Sequence, residues 1–183
     1  MADKKIAFLV ASEGIEQVEL TEPWQAVIDA GGTPVLLSTV DAGETVQAFN
    51  HLDKGDTFTV DTTVGQAHVE DYVGLVLPGG VANPDALRLD SAAVEFVKEW
   101  TEAGKPVAAV CHASWTLIEA HVVKGKTMTS WPSLATDLHN AGATWVDDEV
   151  FTCPANGWTL VSSRNPDDLP AFNQALVKEF GLR

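Results

Sequence analysis

The chain has 183 residues, 45% hydrophobic and 20% charged, which suits a globular protein with a sizeable core. Its net charge of −15 would repel a phosphate backbone, so nucleic-acid binding through a basic face is not expected, and the charge reads as solubility. No apolar run approaches the roughly 18 residues of a membrane helix, and two cysteines without CxxC or Cys/His spacing make neither a disulfide framework nor a zinc site.

The start, MADKKIAFLVASEGIEQ, places two lysines before a short apolar stretch. Glu13 and Glu16 follow at once, so it reads as a first strand rather than a signal peptide, and a cytoplasmic location is the default expectation. Lys4–Ala11 is a continuous apolar run of strand length, the pattern of a parallel strand covered on both faces. Glu16–Ala30 carries Val18, Trp24, Val27 and Ile28 at roughly helical spacing and closes at Gly31-Gly32. Pro23 should kink this helix or mark its effective first turn. Thr33–Thr39 is a second buried strand, which completes a right-handed βαβ start. Asp41–Gly65 is polar and alternates around TFTVDTTV, which predicts small antiparallel strands or a hairpin on the sheet edge.

Val73–Leu77 is the next buried strand and ends in Pro78-Gly79-Gly80. Ser91–Ala103 is an amphipathic helix with Val94, Phe96, Val97 and Trp100 apolar, capped by Asp90 or Ser91 and ended by Gly104. Pro106–Val110 is a strand that runs straight into Cys111 and His112, after which Trp115, Leu117 and Ile118 read as helix. Lys126–Ser130 and Thr144–Val146 are short strands, with a helix over Pro132–Ala141 between them. Val150–Cys153 and Trp158–Ser162 flank Asn156-Gly157, a hairpin-turn signal, and a helix over Asp167–Phe180 closes the sequence. Strands alternating with helices, without linker or repeat, predict one α/β domain over 1–183: a three-layer sandwich on a mostly parallel sheet, with the small antiparallel hairpin at its edge.

Ligands bind such sheets beyond the strand C-termini, which groups Ser12–Glu19, Pro78–Gly80 and Cys111-His112 on one edge. A buried strand that stops at a Cys-His pair and restarts as a helix has the outline of a nucleophile elbow, and a helix start lowers a thiol's pKa. Cys111 is therefore the candidate nucleophile, while Cys153, in a hairpin strand, reads as a small buried hydrophobe. Glu19 is either a solvated acid favoured by the helix dipole or a carboxyl packed against the Cys111 sulfur. In the second case two acids in contact share a proton, and a protonated Glu19 keeps the sulfur ionised at neutral pH.

Gly79-Gly80 is either a plain turn or, with the His112 backbone, a set of amide donors for an oxyanion. The His112 side chain points away from its neighbour Cys111 unless the local turn brings it back, and it needs an orienting carboxylate. Asp85, in the loop after Gly80, is the nearest candidate by segment. Trp24, Trp115 and Trp131 read as core packing, with the pocket wall as the alternative. His51, His68, His121 and His139 are scattered without metal-ligand spacing, so neither a metal nor another cofactor is expected. The Ser12–Glu16 loop carries two carboxylates and no glycine-rich run, which sets a flavin or nucleotide aside.

Several segments occur in one order nearly end to end: Glu16-Gln17-Val18-Glu19-Leu20 with Pro23, Leu77-Pro78-Gly79-Gly80, Gly104-Lys105-Pro106-Val107-Ala108 leading to Cys111-His112, Thr129-Ser130-Trp131-Pro132, and Ser162-Ser163-Arg164. Together they resemble the PfpI-like intracellular protease family of the DJ/PfpI superfamily. The resemblance implies a flavodoxin-like α/β sandwich forming homodimers or larger assemblies, a reactive Cys111 hydrogen-bonded by the Glu19 carboxyl, and a His112 oriented by an acidic residue of a neighbouring subunit. Asp85 matches that acidic position, where protease-named relatives carry the longer Glu. Ala113 and Ser114 stand where relatives often have Gly and Pro. The similar class I glutamine amidotransferases use a downstream His-x-Glu pair that this sequence lacks. Two function classes follow. One is a stress-related, cysteine-dependent enzyme attacking a small carbonyl substrate in the manner of a glyoxalase or deglycase, or acting as a peptidase. The other is a stress-response redox sensor or holdase using an oxidisable Cys111.

Overall fold

The computed structural model describes residues 4–183; residues 1–3, part of the N-terminal stretch and of the domain span considered above, lie outside the described residues. In chain order the elements are β1 (Lys5–Val10), β2 (Glu13–Glu16), α1 (Gln17–Asp29), β3 (Thr33–Ser38), β4 (Thr45–Asn50), β5 (Asp53–Thr59), β6 (Thr62–Thr63), β7 (Gly74–Leu77) and α2 (Ala82–Leu87). They continue with α3 (Ser91–Glu102), β8 (Val107–Val110), α4 (Ser114–Glu119), β9 (Thr127–Met128), α5 (Ala135–Asn140), β10 (Thr144–Trp145), β11 (Phe151–Cys153), β12 (Leu160–Ser163) and α6 (Leu169–Glu179).

The central sheet has seven strands in the order β11-β12-β8-β7-β1-β3-β6. All are parallel except β11, which turns back on β12 through Asn156 and Gly157, both at positive φ. The apolar runs follow from helices covering both faces. Along β1, Ile6, Phe8 and Val10 point to one side with Leu20 and Val27 of α1 and Phe172 and Leu176 of α6. Ala7 and Leu9 point to the other, with Phe96, Val97 and Trp100 of α3 and Leu117 of α4. The Asp90 carboxylate caps α3 by accepting from the Ala93 N–H at 2.9 Å. The expected three layers are thus present. No helix among the described residues is long and apolar enough to cross a membrane.

Besides the short helix α2 over what reads as a loop, two features differ from the sequence reading. The β4–β5 hairpin does not extend the central sheet; it pairs with β2 in a separate three-stranded sheet, leaving the edge to the two-residue β6. Residues 13–16, read above as part of the loop after the first strand, are that partner strand, and their side-by-side run with β4 hangs the hairpin over the strand C-termini. Pro23 also does not open α1, which begins six residues earlier at Gln17 and runs through it. Its missing N–H leaves the Glu19 carbonyl without the usual helical donor.

Candidate active site

The C-terminal ends of β1, β7 and β8 converge as the topology requires, and one buried amide ties two of them together. Asn83, fully buried in α2, accepts from the Ala11 N–H through Oδ1 at 2.7 Å and donates through Nδ2 to the Pro78 and Gly79 carbonyls, both at 3.0 Å. The sequence reading missed both α2 and Asn83. The available signal was an Asn-Pro pair just after Gly80, where an amide beside a proline marks a local turn.

Glu19 comes from the first turn of α1 and is 0% exposed. Its Oε2 accepts from the Gly79 N–H at 2.9 Å, and the carboxyl lies against the Cys111 thiol, Oε1 having no other partner among the described residues. Burial pushes the carboxyl up to about 8, the Glu16 carboxylate adds to the shift, and the Gly79 N–H opposes it. Glu19 is therefore protonated at neutral pH, against the pull of the helix N-terminus. This geometry fixes Gly79 as glycine: a Cβ there would lie 2.4 Å from Glu19 Oε2, 2.7 Å from Cys111 Cβ and 2.8 Å from the Val110 carbonyl. Gly80 follows at φ +82, with the Gly14 carbonyl 2.1 Å from where its Cβ would sit.

Cys111 is 6% exposed and adopts φ +62, a left-handed conformation that costs a non-glycine residue on the order of 1–2 kcal/mol. That turn does what adjacency alone would not: it folds the next side chain back, so that His112 Nδ1 lies 3.1 Å from Cys111 Sγ. The imidazole is stacked on Trp131, with centroids 5.6 Å apart and planes 23° apart, and meets Trp115 edge-on at 5.1 Å. Burial pulls the His112 pKa down, which favours the neutral ring able to accept a proton.

Two expectations need correction. The thiol is not acidified by its helix start: burial pushes its pKa up and a Glu19 carboxylate would push it further, outweighing the Gly80 and His112 amides that favour the thiolate. Gly79 is not a free oxyanion donor, because its N–H is committed to Glu19, which leaves Gly80 and His112. Asp85, expected to orient His112 from a neighbouring subunit, is exposed on α2 and makes no hydrogen bond to the His112 of its own chain among the described residues. Of the three tryptophans, Trp131 lines the cavity, whereas Trp24 packs on Phe8 at 5.0 Å and Trp115 donates through Nε1 to Asp137 at 3.2 Å. Cys153 is buried in β11, as expected.

Cys111, His112 and Glu19 open onto a cavity of about 680 Å³. Its far wall is the hairpin that the sequence reading placed elsewhere, through Phe49, His51 and Leu52. Both oxygens of Glu16 accept from the His51 N–H, at 3.1 and 3.3 Å, and hold the hairpin tip in place. No group of three or more metal-ligating side chains occurs among the described residues.

Residues 4–179 match the DJ-1/PfpI family. The chain belongs to that family. It is 38% identical over 171 residues to Bacillus subtilis YraA, whose name proposes a cysteine protease, covering 93% of this chain and 95% of that one. It is 37% identical over 179 residues to Protein/nucleic acid deglycase 2 of Escherichia coli, covering 97% and 98% of the two chains. Among solved structures, a two-domain protein of Anabaena variabilis with DJ-1/ThiJ/PfpI-like and ferritin-like domains superposes with a TM-score of 0.88 at 32% identity. That match covers 98% of this chain and 49% of the Anabaena protein, so this chain spans about half its length.

Proposed function

We propose that this DJ-1/PfpI chain is a cysteine-dependent enzyme of the glyoxalase or deglycase kind, in which Cys111 attacks the carbonyl carbon of a small substrate. The observation that carries this reading is the placement of one sulfur between a base and an acid: neutral His112 at 3.1 Å and protonated Glu19, both facing one cavity. The thiol gives its proton to His112 Nδ1 as it attacks, which is how a thiol of raised pKa reacts without standing as a free thiolate. The Gly80 and His112 N–H groups receive the developing oxyanion. Glu19 then donates its proton to that oxygen and becomes a carboxylate. From there it can lift the C–H proton of a hemithioacetal whose neighbouring carbon is itself a carbonyl and return it to that carbon, while the hydroxyl proton passes to the neighbouring oxygen. This leaves an α-hydroxy thioester that water hydrolyses to a hydroxy acid and free Cys111.

The kinship with deglycase 2 supports this, and that with YraA keeps a cysteine chemistry of either kind in view. Peptidase action is less well supported, because His112 is held by aromatic rings and no carboxylate of its own chain among the described residues orients it. The expected homo-oligomer belongs to the same proposal: an exposed Asp85 would reach only the His112 of a second copy. A redox sensor, the second class considered above, needs an accessible sulfur, and Cys111 is 6% exposed. The test is turnover of methylglyoxal and of a fluorogenic peptide by wild type and Cys111→Ser. Methylglyoxal turnover should fall by ~10²-fold or more in the variant. Equal turnover by the two proteins refutes the proposal.

A further inference from the structure

Among the described residues, the cavity over Cys111 is lined by three carboxyl groups and by no lysine or arginine. Glu13, Glu16 and Glu19 line it at increasing depth, with Phe49, Leu52 and Trp131 as apolar wall. Glu13 is exposed at the mouth, and Glu16 is half-buried and fixed by its two contacts with the His51 N–H. Arg164, two residues before the rim residue Pro166, is fully engaged elsewhere. Its Nη1 donates to Asp147 at 2.8 Å, and Nε and Nη2 donate to the two Asp168 oxygens at 2.9 Å each. An acidic rim alone would be an ordinary solvated face. Here it leads down a partly apolar cavity to the Cys111 thiol and the protonated Glu19 carboxyl that lies against it. A partly apolar passage that ends at a proton donor and a nucleophile is a place for a ligand's carbonyl end.

We propose that this cavity selects its substrate by charge: the carbonyl compound that reaches Cys111 carries a cationic, ammonium-type group that settles between Glu13 and Glu16, and anionic carbonyl compounds such as α-oxo acids are excluded. The carbonyl end then faces the thiol and Glu19 Oε1. Two carboxylates in the lining of a partly desolvated mouth separate opposite unit charges by on the order of tenfold in approach to the sulfur. This rests on the reading of Cys111 as the attacking group, but its test needs no turnover, so the two can fail separately.

The experiment measures the rate at which Cys111 is labelled by three methanethiosulfonates bearing trimethylammonioethyl, methyl and sulfonatoethyl groups, followed by intact-protein mass spectrometry. Each forms a mixed disulfide and releases methanesulfinate. Mercaptoethanol, a neutral thiol, gives the intrinsic cation-to-anion rate ratio of the reagents. At low salt the ratio at Cys111 should exceed that reference by on the order of tenfold, and it should collapse towards it at ~1 M salt. Because the chain as a whole carries −15, Glu102→Gln is the control. It removes the same charge from the exposed end of α3, at the opposite edge of the sheet from Cys111. The ratio should drop in Glu13→Gln and hold in Glu102→Gln. A ratio no larger than the reference, one that ignores salt, one that both variants change alike, or absence of labelling by all three reagents overturns the proposal.

Discussion

Replacing Glu19 with Gln tests the central electrostatic claim through stability rather than activity. The amide oxygen can keep the 2.9 Å bond from the Gly79 N–H, so the shape of the site is preserved and the titrating proton is removed. In the unfolded chain a glutamate titrates near ~4.3, whereas burial holds Glu19 at about 8 in the fold. Below the unfolded value both states are protonated and the full stability is present. Between the two values only the folded state keeps the proton, so each pH unit removes about 1.4 kcal/mol, up to about 5 kcal/mol in all by the folded value. His112 contributes with the opposite sign, because its pKa is lowered on folding, but it does so in both proteins and cancels in their difference. The Cys111 thiol titrates above this range. The assay is urea unfolding followed by tryptophan fluorescence, at intervals from pH 5 to 8.5. Wild type should lose stability relative to Glu19→Gln steadily as pH rises, with the gap levelling off above pH 8. Parallel curves would refute the protonated carboxyl and, with it, Glu19 as the proton donor.

Two further outcomes follow from close packing and from a buried charge. Gly79→Ala puts a methyl within 2.4 Å of Glu19 Oε2 and 2.7 Å of Cys111 Cβ, so thermal unfolding should show a loss of about 1–3 kcal/mol. Turnover measured well below the melting temperature should fall as well, because the acid and the nucleophile are both displaced. Lys126 is fully buried, with its Nζ donating to the Trp158 carbonyl at 2.5 Å, the Cys153 carbonyl at 3.4 Å and the Ala155 carbonyl, 3.8 Å from the Trp158 ring centroid. Burial pushes its pKa down to about 8. Lys126→Met strands those carbonyls and should cost about 2–4 kcal/mol, with faster amide exchange confined to residues 154–158.

What the sequence made legible is what local pattern controls. β1, β3, β7 and β8 are apolar on consecutive residues because helices cover both of their faces, so periodicity alone locates them and, through the topology, brings Glu19, Gly79-Gly80 and Cys111 to one edge. The site's finer chemistry depends on facts no window of sequence contains. Residues 13–16 become a strand only because β4, some thirty residues on, pairs with them, and that pairing swings His51 and Leu52 over the cavity. Whether Gly79 offers its N–H to an oxyanion or to Glu19 turns on where a carboxyl sixty positions earlier comes to rest. Cys111 makes the point most sharply. Its neighbour His112 reaches the sulfur solely because a non-glycine residue sits at φ +62, a conformation whose local cost must be met by the packing around it. The same packing that forces this turn also dehydrates the thiol and raises its pKa. The acidity that a strand-turn-helix outline promises is therefore cancelled by the burial that makes the turn possible, and the reactivity of Cys111 has to come from a base within reach rather than from the sulfur itself.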